Sequence, residues 1–140
     1  MSIQYSQFDP SNLSRVRDSL SALLQRSNQD AFVIFEEKKT GKFVQFAGSR
    51  NEDLLLDLPN QALTELEASK AKVVLRDWGA SDPQEYVVFT DEDMDTVAGR
   101  QISFQINFGR NVSQAAQACL AIFERVYDFP ADFELLIEEN

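Results

Sequence analysis

The chain has no histidine, and that one absence removes the commonest routes to catalysis near neutral pH. Ser-His-Asp and Cys-His arrangements both use an imidazole as the base. Zinc sites that need imidazole are excluded too, and a single cysteine, Cys119, cannot assemble a thiolate site. A lone cysteine also forms no intramolecular disulfide, so nothing favours an oxidising compartment. The five glycines, Gly41, Gly48, Gly79, Gly99 and Gly109, are too scattered for a phosphate-cradling loop. No apolar run approaches the roughly 20 residues that a bilayer-crossing helix needs. The start, Met1-Ser2-Ile3-Gln4-Tyr5-Ser6, lacks the basic and apolar regions of an export signal, which predicts a cytoplasmic protein.

Positive charge is scarce as well. Thirteen Lys and Arg stand against 23 Asp and Glu, a formal net charge of −10. Nucleic-acid backbones and anionic membrane surfaces both require clustered cations, so neither is an expected partner. Such a charge serves solubility first, with a nucleic-acid mimic or a binder of basic segments as the sharper alternatives.

Apolar material, by contrast, is plentiful. The 140 residues are 44% hydrophobic and include 11 Phe, enough for one domain over residues 1–140 without metal or disulfide support. Glycines and prolines fall between patterned segments. They divide the chain in the order α-β-β-β-α-β-β-α, which predicts an α+β fold with a five-stranded, largely antiparallel sheet and three helices.

The first helix opens at Asp9-Pro10 and carries Leu13, Val16, Leu20, Leu23 and Leu24 on one stripe. Ala31 to Phe35, Lys42 to Ala47 and Asp53 to Leu58 read as three strands joined by tight turns, hence an antiparallel meander. Thr64-x-x-Glu67 is a capping-box pattern. Leu66, Ala71, Val74, Leu75 and Trp78 continue it at helical spacing to a left-handed stop at Gly79. Tyr86 to Phe89 is a short strand. In the next, Ile102, Phe104, Ile106 and Phe108 alternate with Gln101, Ser103, Gln105 and Asn107, so one face is buried and the other is wet or meets a polar partner. The last helix places Ala115, Cys119, Ile122, Phe123 and Val126 together, with Asn111 and Gln114 as its cap pair. Pro130 marks the helix's exit; in the tail from Phe129 to Asn140, Phe133 to Ile137 is apolar enough to dock, and Glu138-Glu139-Asn140 reads as loose.

Individual residues offer little chemistry. Asp91, Asp93 and Asp95 match the first ligand positions of a calcium loop, but Thr96 and Ile102 stand where its glycine and bidentate glutamate belong. A solvated acidic turn is the reading, and no metal, cofactor or catalytic residue is assigned. Cys119 reads as a buried, inert thiol. The stronger clue is that the first three strands are apolar on both faces. Phe32/Ile34, Phe43 and Leu55 oppose Val33/Phe35, Val44/Phe46 and Leu54/Leu56. Phe43 and Leu55 are therefore candidates for a surface covered by a partner, with cover by the second helix and the tail as the alternative. Val74, Leu75 and Trp78 are candidates for a homodimer interface, Trp being enriched in interfaces, with core packing the other reading of Trp78.

The segment Lys42-Phe43-Val44-Gln45-Phe46-Ala47-Gly48, then Leu54-Leu55-Leu56-Asp57-Leu58-Pro59 and a helix ending in Trp78-Gly79, resembles the tir-chaperone-like proteins (YbjN-type). The element order is that of the type III secretion chaperone fold. The resemblance runs from the first helix to about Tyr127 and leaves the tail unassigned. It implies a non-enzymatic, homodimeric module that holds an extended segment of a partner protein against apolar patches. A small carboxylate-dependent enzyme and an acidic nucleic-acid mimic or inhibitor are the alternatives.

Overall fold

The computed structural model describes residues 10–28, 31–80, 83–89 and 97–139. Helix α1 (Pro10–Leu23) is followed by strands β1 (Phe32–Glu37), β2 (Phe43–Ser49) and β3 (Glu52–Pro59). A single 3₁₀ turn (Asn60–Ala62) leads into α2 (Glu65–Arg76), then β4 (Gln84–Phe89), β5 (Val97–Gly109) and α3 (Val112–Ala121). The last helix continues as a π-helical turn, Ile122–Val126, and the chain ends in a further strand, β6 (Leu135–Glu139). The five expected strands and three helices are present in the expected order, and the tail adds a sixth strand. The sheet runs β4-β5-β3-β2-β1-β6, every neighbouring pair antiparallel. Among the described residues no helix is long and apolar enough to cross a membrane.

The sheet has two unlike faces because side chains alternate along each strand. Val33 and Phe35, Val44 and Phe46, Leu54, Leu56 and Leu58, and Phe104 and Ile106 point to one side and are buried. Helices α1 and α3 pack against each other and lie over that side. α1 contributes Val16, Leu20, Leu23 and Leu24; α3 contributes Ala115, Cys119 and Leu120, with Ile122 and Phe123 from the π turn. Cys119 is wholly buried, and burial pushes its thiol well above the ordinary range, so it remains protonated.

α2 starts and stops on local signals. The Thr64 hydroxyl accepts from the Glu67 backbone N–H at 3.1 Å, and the Thr64 N–H donates to the Glu67 carboxylate at 2.9 Å, a complete capping box. At the far end Gly79 takes φ +99°, the Ala80 N–H donates to the Leu75 carbonyl and the Gly79 N–H to that of Arg76. Those two bonds satisfy carbonyls that the helix would otherwise leave open. The inward stripe is Glu67, Ala71, Val74 and Leu75; Leu66, expected on it, is 65% exposed. Glu67 takes the inside position because its carboxylate also receives Lys42 Nζ, from the residue just before β2, at 2.7 Å. Lys42 lies 5.4 Å from the centre of the Tyr127 ring, and the Tyr127 hydroxyl donates to the Phe43 carbonyl at 2.7 Å. This network ties α2 and the π turn to the start of β2.

The tail is docked along its described residues, 129–139. Phe133 stacks on Phe123 with ring centres 4.7 Å apart, and Phe129 and Tyr127 complete an aromatic cluster. Each such ring pair contributes about 0.5–1.5 kcal/mol beyond the area it buries. Asn12 and Arg15 of α1 donate to the Phe133 and Leu135 carbonyls at 3.0 and 2.9 Å. Glu138 and Glu139, expected to be loose, are instead paired with Ile34 and Val33 as the end of β6. Pairing satisfies the backbone groups along the β1 edge, while the outward carboxylates discourage further strand addition.

Candidate functional site

The second face of the sheet carries no helix among the described residues. Three rows cross it. Phe32, Ala47, Leu55 and Asn107 form one. Glu138, Ile34, Gln45, Asp57 and Gln105 form the next, and Leu136, Glu36 and Phe43 the third. Phe32, Ile34, Phe43, Ala47 and Leu55 are half-buried by their neighbours, and Leu136 is 41% exposed. At about 4.8 Å per strand, the five strands from β5 to β6 make a surface about 19 Å wide.

Asp57 lies near the middle of that surface. Along β3 it stands between Leu55 and Pro59, and Phe43 is its diagonal neighbour on β2. The polar set on β5 that was expected to be wet or to meet a polar partner meets Asp57: Ser103 and Gln105 hydrogen-bond its carboxylate. Ser103 is fully buried, Gln105 half-buried and Asn107 exposed. Burial raises the Asp57 carboxyl above the ordinary aspartate range, and the two side-chain hydrogen bonds offset only part of that rise. One of its oxygens, Oδ1, is buried without any partner. A buried acceptor left unmatched is costly, and native proteins contain few of them.

The residues singled out from sequence fall in different places. Phe43 and Leu55 are brought onto this face, on either side of the row through Asp57. Val74 and Leu75 are 4% and 0% exposed and belong to the domain's own core. They are therefore not available to a second copy, because the inward stripe of α2 packs on its own chain. Trp78 is partly buried and packs against the same core. The outward residues of α2 are Leu66 and Val73, at 65% and 57% exposure. Asp91, Asp93 and Asp95 lie outside the described residues. Among the described residues no group of three His, Cys, Asp or Glu side chains could hold a metal ion.

Other features of the surface are already internally matched. A hollow of about 410 Å³ beside α2 is lined by Ser69, Lys70, Val73, Val74 and Arg125. Its two cations pair with Asp128 and, at 3.9 Å, with Asp77. Glu37, at the end of β1, accepts from the Thr40 N–H and hydroxyl, both at 2.8 Å. These contacts hold the β1–β2 turn and offer no reactive group. Asp57 escaped the sequence reading, although one signal was there: it is the single polar residue in Leu54-Leu55-Leu56-Asp57-Leu58, on the same side as Leu55.

Compared with models of protein families, with curated proteins and with solved structures, the chain matches none.

Proposed function

We propose that this chain is a non-enzymatic, cytoplasmic protein-binding module that takes a segment of a partner protein on the helix-free face of its sheet. One observation carries the reading. Phe32, Ile34, Phe43, Leu55 and Leu136 stand together on a face that no described helix covers, while the described apolar side chains of the opposite face are buried. An apolar surface of this kind is stabilised by a cover, since apolar area removed from water yields about 25 cal/mol per Å². The resemblance to secretion-chaperone-like proteins agrees with this reading, and the net charge of −10 disfavours nucleic acid and anionic membrane as the cover.

Site-specific photo-crosslinking in cells tests the proposal. A benzophenone amino acid at Leu55 should form adducts with another protein, whereas the same probe at Leu66 on α2 should form few. Adducts at Leu66 alone, or at neither position, would overturn it. Adducts only between copies of the chain would replace the partner with self-association.

A further inference from the structure

The geometry points to a second docking site, the outer edge of β6, and to its occupant: an extended segment of another protein that alternates basic and apolar residues and adds as a further strand. The site lies apart from the helix-free face, so the reading of that face stands or falls separately.

The open edge follows from the ladder. Among the described residues β6 ends the sheet and has a neighbour on one side only. The Lys38 N–H donates to the Glu134 carbonyl at 3.1 Å, in the register that pairs Glu36 with Leu136 and Ile34 with Glu138. Alternate residues of a strand direct their backbone groups to the same side, so Leu135, Ile137 and Glu139 present theirs outward. The bond from Arg15 to the Leu135 carbonyl, at 2.9 Å, agrees with that direction. Among the described residues nothing bonds the N–H and C=O of Ile137 or Glu139 on this side. A row of such groups is a template for strand pairing.

Helix α1 walls the edge. Asn12 and Arg15 bond to the Phe133 and Leu135 carbonyls, and farther along the helix Ser19 and Ala22 border a hollow of about 410 Å³ with Val33 and Glu139. These helix positions are three or four residues apart and lie on one stripe, so the helix runs beside the strand. An incoming strand puts every second side chain on that side, where Ala22, Leu23 and Val33 offer apolar contact. Arg26 also lines the hollow and disfavours a cation there. Strand addition draws its affinity from main-chain bonds and its selectivity from pockets of this kind.

Charge selects the occupant. Glu134 is matched by Lys38 at 3.1 Å, whereas Glu138 and Glu139 make no ion pair among the described residues. Carboxylates on an edge repel most incoming chains and admit one that brings cations opposite them. Glu138 pairs with Ile34 on the helix-free side, so basic residues belong on that side and apolar ones over the hollow. A second β6 would bring two more glutamates to the same edge, on a chain that already carries −10. The edge is therefore complementary to a basic segment rather than to itself.

The test is titration, by fluorescence anisotropy, of the whole purified protein with a labelled heptapeptide of alternating Val and Lys. Two comparison peptides carry Glu in place of Lys, or the original side chains with every backbone N–H methylated. Two variants complete the set, Ile137→Pro and Glu138→Gln/Glu139→Gln, each verified by circular dichroism. The Ile137 N–H faces outward, and an edge strand tolerates proline at such a position. Support is binding of the Val-Lys peptide alone, weakened at least about tenfold by each variant. Binding retained by the methylated peptide or by Ile137→Pro means that charge alone attracts the peptide, and overturns the inference. Binding retained by the double variant, or shared by the Glu peptide, removes the charge selection and also overturns it. No binding to the wild type does the same. Should Ile137→Pro fail to fold, the methylated peptide decides whether the backbone is used.

Discussion

The side-chain amide of Asn12 donates to the Phe133 carbonyl oxygen at 3.0 Å, joining the first turn of α1 to the tail across 121 positions of sequence. Asn12 is 5% exposed, so the bond is shielded from water. Together with Arg15 on the Leu135 carbonyl, it sets the angle at which the tail enters the sheet beside β1. Helix α1 therefore acts both as a cover for the core and as a clamp on β6.

Asn12→Ala should destabilise the domain by about 1–3 kcal/mol, because the buried Phe133 carbonyl loses its partner. Arg15→Ala should cost less, since Arg15 is exposed and water can replace it. Urea denaturation gives the energies. Limited proteolysis should show earlier cleavage within residues 129–139 for Asn12→Ala than for Arg15→Ala. Equal loss in both variants would mean that the tail is held by the aromatic cluster alone.

Glu67 makes stability depend on pH in the acid range. Burial raises its carboxyl, but the Lys42 hydrogen bond, the Thr64 backbone bond and the Lys42 charge more than reverse this and hold it below the ordinary glutamate value. A depressed folded-state value gives stability that is present above the unfolded value, near 4.3, and lost as pH falls through the folded one. Glu67→Gln should therefore cost about 1.5–3 kcal/mol at pH 7 and progressively less below about pH 4. A constant difference between the two proteins over that range would show that the carboxylate charge contributes nothing.

These two examples also show what the sequence makes legible. The ends of α2 depend on residues within one turn of each other, Thr64 with Glu67 and Gly79 with Leu75, and local signals announce them. The facing of α2 does not follow from its own residues. Leu66, expected inside, faces out and Glu67 faces in, because Lys42, just before β2, draws the carboxylate inward. The same holds for the tail. Leu135 to Glu139 becomes a strand by pairing with β1, a contact across about 100 residues that no local pattern encodes. On the candidate face, Phe43 and Leu55 were readable as apolar residues on the second side of their strands. Asp57 gained its meaning only when β3 and β5 paired and brought Ser103 and Gln105 beside it.

The outer and inner faces of α2 should respond very differently to substitution. Leu66→Ser and Val73→Ser alter exposed positions and should each change stability by no more than about 0.5 kcal/mol. Leu75→Ala empties a fully buried site and should cost about 2–5 kcal/mol. Trp78→Ala, at a partly buried site on the core, should lower the melting temperature at every protein concentration. Sedimentation velocity on Leu66→Ser/Val73→Ser then checks association separately from folding. An unchanged distribution shows that α2 is not an interface, and a shift toward smaller species shows that its outer stripe is one.

Asp57 should make the free protein less stable as pH rises, the opposite sense to Glu67. Burial raises its folded-state carboxyl above the ordinary aspartate value, so protonation is favoured by folding. A raised folded-state value gives stability that is fully present below the unfolded value, near 3.9, and lost as pH rises through the folded one. Asn cannot titrate, and it keeps an acceptor for Ser103 or Gln105. Asp57→Asn should therefore gain stability relative to the wild type as pH is raised from about 3 to 7, with the gap levelling off above the folded-state value. Thermal unfolding at a series of pH values, at fixed ionic strength, reads this directly. A gap that narrows as pH rises would mean that the charged carboxylate is already satisfied within the domain. Asp57 would then be a structural anchor for β5.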